Sequence, residues 1–138
     1  MKTVLQVFTL LIFSLTTLYA NEYTDVREIS MKKDEQKKIL VKYNGKEKLL
    51  KLRWTLYKNG GLVIFGSYDR ILSQHVHYSR HINKSFRVIL KPNSPGFYTP
   101  PYLLVKFKEF SHETSEAKLE LLLSDGASEI NLEYLKND

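Results

Sequence analysis

The chain has 138 residues with 21 Lys and Arg against 15 Asp and Glu, a net charge of +6, and no cysteine. The missing cysteines exclude disulfides, thiolate metal sites and thiol nucleophiles, so stability rests on packing alone. The basic balance suits anionic partners such as an acidic glycan, a phosphorylated lipid or an acidic protein face.

The first twenty residues have the three-part grammar of a secretory signal peptide: Lys2, an apolar core from Val4 to Leu18, and the small residue Ala20 at the expected cleavage point. The core is short for a spanning helix and is broken by Gln6, Thr9, Ser14, Thr16 and Thr17. We therefore expect residues 1–20 to be removed and 21–138 to form one exported domain with a net charge of +5 and no transmembrane span. A cysteine-free exported domain fits a bacterial periplasm.

The rest reads as antiparallel β-structure. Ile29 and Met31 mark a first strand, and the charged run Lys32 to Lys38 is its solvated connection. Ile39, Val41 and Tyr43 share one face of the next strand. Asn44-Gly45 then supplies a hairpin turn whose two residues must accept positive φ. From Lys46 to Tyr57 the alternation sets Leu50, Leu52, Trp54 and Leu56 against Lys51, Arg53 and Thr55, which makes Trp54 a core anchor. Lys58 to Gly61 is a second turn, and the apolar run Leu62 to Phe65 fits an interior strand with a bulge at Gly66.

Ile71 to Tyr78 and Ser85 to Leu90 are further strands, separated by a polar connection. Lys91 to Pro101 is a loop carrying all four prolines. Leu103, Val105 and Phe107 point inward from the following strand, with Lys106 and Lys108 outward. Residues 113–123 contain good helix formers, but Leu119, Leu121 and Leu123 alternate with Lys118 and Glu120 between turn-like flanks, so the strand reading prevails. Ser124 to Ser128 is a turn, and Ile130, Leu132 and Tyr134 form the last apolar row. About eight short strands at regular spacing predict a single-domain antiparallel β-sandwich, of which the immunoglobulin arrangement is one form. A small β-barrel is the alternative.

Three groups of residues could carry a function. His75 and His77 are two apart, so on a strand they share a face at a spacing that can grip zinc or copper. With Leu72, Val76 and Tyr78 taken as the inward set, the two imidazoles fall on the wet face, and His81 completes a site if the chain turns at Ser79-Arg80. The second group is the loop with Phe97, Tyr98 and Tyr102, stiffened by its prolines and suited to anchoring a protein partner. The third is the cationic set Lys46, Lys48, Lys51, Arg53, Lys106 and Lys108, suited to an anionic glycan or lipid.

No nucleophile elbow, paired acid and base, phosphate loop or dinucleotide fingerprint occurs, so catalysis is not expected. Export and the absence of a reading motif argue against nucleic acid. Asn83-Lys84-Ser85 fits a glycosylation sequon, which matters only in a glycosylating host. The expected role is a binding or assembly module for an envelope protein, acting through the Pro/aromatic loop or an exposed edge strand.

Overall fold

Nine strands in two antiparallel sheets make up the computed structural model, which describes residues 23–92, 99–126 and 129–137. The strands are β1 (Asp25–Lys32), β2 (Lys37–Tyr43), β3 (Lys46–Lys58), β4 (Gly61–Tyr68), β5 (Ile71–Tyr78), β6 (Ser85–Ile89), β7 (Tyr102–Ser111), β8 (Glu116–Ser124) and β9 (Asn131–Tyr134). One sheet runs β1-β8-β7-β6 and the other β5-β4-β3-β2-β9. The chain passes between sheets three times, from β1 to β2, from β5 to β6 and from β8 to β9. Strands β2 to β5 form an uninterrupted meander in one sheet, a strand order unlike the ABED and CFG sheets of immunoglobulin constant domains.

Turn chemistry sets the meander. Asn44-Gly45 and Asn59-Gly60 both adopt positive φ, the geometry of two-residue hairpins. Asp69-Arg70 does the same, at φ 50° and 68°, although Arg70 has a Cβ and no local reason to favour that region. This pair is a tight two-residue hairpin turn between β4 and β5. Asp69 pairs with Lys48 at 2.6 Å, across from β3.

The two inner faces bury one continuous core, with Leu50, Leu52 and Trp54 of β3 facing Val105, Phe107, Leu119 and Leu121 of the other sheet. Trp54 is the expected anchor. Its indole Nε1 donates to the Met31 carbonyl at 2.8 Å, and its ring meets Phe110 edge to face. The buried indole N–H thus finds an acceptor and joins the two sheets at the same point. At the other end the Tyr68 hydroxyl donates to the Leu90 carbonyl at 2.6 Å, a second tie between sheets. Residues 116–124 are a strand, as their alternation requires.

Gly66 is not at a bulge: it pairs in register with Leu52 and Ser73, and the β3–β4 irregularity lies between Trp54 and Leu56. Gly66 is needed for space, since a Cβ there would come within 2.9 Å of the Ser73 hydroxyl. Gly61 likewise leaves room for the Tyr78 ring, which would lie 2.8 Å from an added Cβ.

Candidate interaction surface on strand β5

Strand β5 is an edge, and its facing follows from the turn before it. In a two-residue hairpin the flanking residues lie directly opposite and share a face. Tyr68 pairs with Ile71, and Tyr68 points into the core. The odd-numbered residues of β5 therefore lie on the inner side, with Ile71 at the strand's exposed start and the row buried progressively toward His77. This reverses the sequence reading: Ser73, His75 and His77 face the interior, while Leu72, Val76 and Tyr78 face solvent. Leu72 is 81% exposed, Val76 47% and His77 only 9%. The alternation is as expected and the facing is reversed, because one step of register exchanges every side chain between faces.

The inward histidines have an aromatic task. His75 stacks on Phe86 of β6 with centroids 3.7 Å apart and planes within 6°. His77 lies on the same ring at 5.6 Å. Strand β6 is the edge of the opposite sheet, so this stack closes one open side of the sandwich. The other side is covered where the Arg27 guanidinium of β1 rests 3.9 Å from the Tyr134 ring centroid of β9. Burial holds both imidazoles below the ordinary histidine range, and His75 adds a repulsive contribution at His77. The His77 Nε2 is buried without a hydrogen-bond partner.

The structure does not gather the three histidines. The His75 and His77 rings are nearly parallel, 13° apart, with centroids separated by 6.0 Å. His81 lies against the ring of Tyr78, on the opposite face of the strand. The turn at Ser79-Arg80 does form, with the His81 amide donating to the Tyr78 carbonyl, but it carries His81 to the outer side. Among the described residues no group of three His, Cys, Asp or Glu side chains is placed to hold a metal ion.

Of the Pro/aromatic loop, Phe97 and Tyr98 lie outside the described residues, as do residues 1–20 of the signal reading. Tyr102 is buried at 5% exposure beneath the Arg87 guanidinium, 4.4 Å from its ring centroid. It is packing, with no surface to offer a partner.

The cationic set also divides. Lys48 belongs to the inner-face row of β3 and is held at the sandwich end by Asp69, between the rings of Tyr43 and Tyr68. Lys46 shares that row, exposed at the start of the strand. Lys51 and Arg53 point the other way, onto the outer face. On the opposite sheet Lys106 pairs in register with Glu120, and Lys108 lies 3.7 Å from the same carboxylate. That face is charge-balanced, with Lys118 bridging Glu109 and Glu28. The six cations therefore do not form one surface.

What sequence reasoning does not reach is which strand forms the free edge. Because Tyr68 and Ile71 flank a two-residue turn, they form a hydrogen-bonded pair, and the pairs of β5 alternate from there. The Ser79 amide donating to the Gly60 carbonyl at 2.8 Å continues that phase. The backbone groups of Ser73, His75 and His77 are thus spent on β4, while the N–H and C=O of Leu72, Gln74 and Val76 point away from the sheet. No described strand pairs with that side. Across the outer face these residues continue into rows with β4 and β3: Leu72 with Ser67 and Lys51, Gln74 with Phe65 and Arg53, Val76 with Val63 and Leu56.

Comparison of the chain with known protein families, with curated proteins and with solved structures finds no match to any of them.

Proposed function

We propose that the protein is an exported, periplasmic binding module that takes up an extended segment of an envelope protein as an added strand beside β5, without catalysis. The observation that carries this reading is the unguarded edge. Folded domains protect exposed edges with charge, proline, bulges or short length. The eight residues of β5 contain no Lys, Arg, Asp, Glu or Pro, and their pairing with β4 runs without a bulge. The other three edges are guarded: β1 carries Asp25, Arg27, Glu28 and Lys32, β6 has five residues including Arg87, and β9 has four including Glu133.

Strand addition draws affinity from main-chain hydrogen bonds and specificity from alternate side chains. Here the free main-chain groups and the exposed side chains of Leu72 and Val76 belong to the same residues. An incoming strand meets both at once and extends the outer apolar row. The signal-like residues 1–20 support an envelope setting.

The test is crosslinking in the native host, with a photoreactive residue at Gln74 and a control at Arg27. The reading expects one defined envelope protein from position 74, lost in Val76→Lys, which sets a charge on the edge. Equal capture from both positions, or none from 74, would sink it.

A further inference from the structure

The outer face of the β5-β4-β3-β2 sheet holds a second feature, a cationic groove that reaches the edge strand only at Leu72, Ser73 and Gln74. Lys38 of β2 and Lys51 of β3 are directly opposite in register, and both belong to the outward row. Arg53 follows two residues along on the same face. Like charges opposite one another destabilise a sheet. Elsewhere the protein offsets its lysines, as at Lys42 with Glu133, Lys91 with Glu129 and Lys118 with Glu109. Among the described residues no carboxylate lies within 4.0 Å of Lys38, Lys51 or Arg53. On β4 and β5 the cross-strand neighbours of Lys51 and Arg53 are Ser67, Leu72, Phe65 and Gln74, all uncharged.

Beside these cations an open groove of about 430 Å³ runs over β3, β4 and β5. Its lining mixes Lys51 and Arg53 with Phe65 and Leu72, and with the amides of Gln36 and Gln74. The Arg53 guanidinium carbon is 5.8 Å from the Phe65 ring centroid, so cation and aromatic face border the same space. We infer that this groove binds an acidic sugar unit of a glycan, a pyranose bearing a carboxylate or a phosphate. Lys51 and Arg53 take the anion, with Lys38 adding to the field. Phe65 and Leu72 take the apolar face of the ring, and the glutamine amides with the Ser67 hydroxyl take its hydroxyls. An anionic lipid suits the site less, because an acyl chain covering those amides would leave their hydrogen bonds unmade.

Binding is read from amide chemical shifts of the full mature domain titrated with trigalacturonate, glucose 6-phosphate, neutral maltotriose, sodium phosphate and laurate. Either acidic sugar is expected to shift the signals of Lys51, Arg53, Phe65 and Gln74. Maltotriose and inorganic phosphate should bind at least about tenfold more weakly. Which acidic sugar binds more tightly tells carboxylate from phosphate. Lys51→Gln with Arg53→Gln should lose about tenfold or more in affinity while the fold stays as stable or gains, since like charges are removed. Lys106→Gln with Lys108→Gln, on the charge-balanced face, should leave binding unchanged. The inference is overturned if neither acidic sugar shifts these signals, or if maltotriose or phosphate alone binds as tightly. It is equally overturned if laurate binds more tightly than both sugars, or if the Lys51/Arg53 variant binds like the parent.

Discussion

At Trp54 a single side chain reports on the packing of both sheets. Its indole is 3% exposed and gives its N–H to the Met31 carbonyl. Trp54→Phe removes the donor, leaves a buried carbonyl unpaired and shrinks the ring, so we expect a loss of about 1–3 kcal/mol in urea unfolding. Arg70 offers the opposite change. Its φ of 68° is costly for a residue with a Cβ. Arg70→Gly turns the loop into Asp-Gly, and we expect a gain of about 1 kcal/mol, read as a higher unfolding midpoint. Trp54 was legible in the sequence because it sits in the middle of an alternating apolar row. Lys48 was not, because at a strand end the alternation no longer says whether a residue reaches the core or its rim.

Strand β5 shows how an element can be found and still be misread. Its bounds follow from composition, but its facing was decided by a turn outside it. Asp69-Arg70 lacks the Asn-Gly signature that marked the other hairpins, so the pairing of Tyr68 with Ile71 was hidden. Hydrophobicity then misled, since Leu72 and Val76 look like core residues and histidines like surface ones. The inward histidines give β5 a measurable property. Burial lowers the folded-state affinity of His75 and His77 for protons. As pH falls through about 6.5, the unfolded chain takes up protons first. Stability from this pair is therefore fully present above that pH and declines below it, levelling once the folded protein protonates too.

Urea midpoints between pH 8 and pH 5 should show the decline, and His75→Gln with His77→Gln should flatten it. Carboxylates act in a separate window. At Glu35 burial opposes ionisation, but hydrogen bonds from the Lys37 side chain and the Lys32 amide outweigh it and lower the pKa. Glu109 is lowered by its hydrogen bond to Lys118. Their contributions are lost only as pH falls below about 4.5, so an unchanged midpoint between pH 8 and pH 5 would count against the histidine account.

Over the whole molecule, two sheets divide the surface into unlike faces. The β1-β8-β7-β6 face carries cross-strand ion pairs at Lys108–Glu120 and Lys118–Glu109, whereas on the other outer face Lys38, Lys51 and Arg53 have no carboxylate within 4.0 Å among the described residues, and Lys51 and Arg53 lie beside rows that end at β5. The sandwich class was legible because period-two rows and Gly-bearing turns recur along the chain. Which strand would be an edge was not legible, because strand order depends on the crossings between sheets. The cationic groove was half legible: Lys51 and Arg53 stood out, but only cross-strand register brings Phe65 and Gln74 beside them.

The central claim is that β5 accepts another strand, and per-residue amide hydrogen exchange along β5 tests it most directly. In the free protein the amides of Leu72, Gln74 and Val76 should exchange quickly, and those of Ser73, His75 and His77 slowly, because only the latter are bonded to β4. With the crosslinked envelope partner bound, the account predicts that Leu72, Gln74 and Val76 become protected and the alternation disappears. An alternation that persists unchanged in the complex would contradict it.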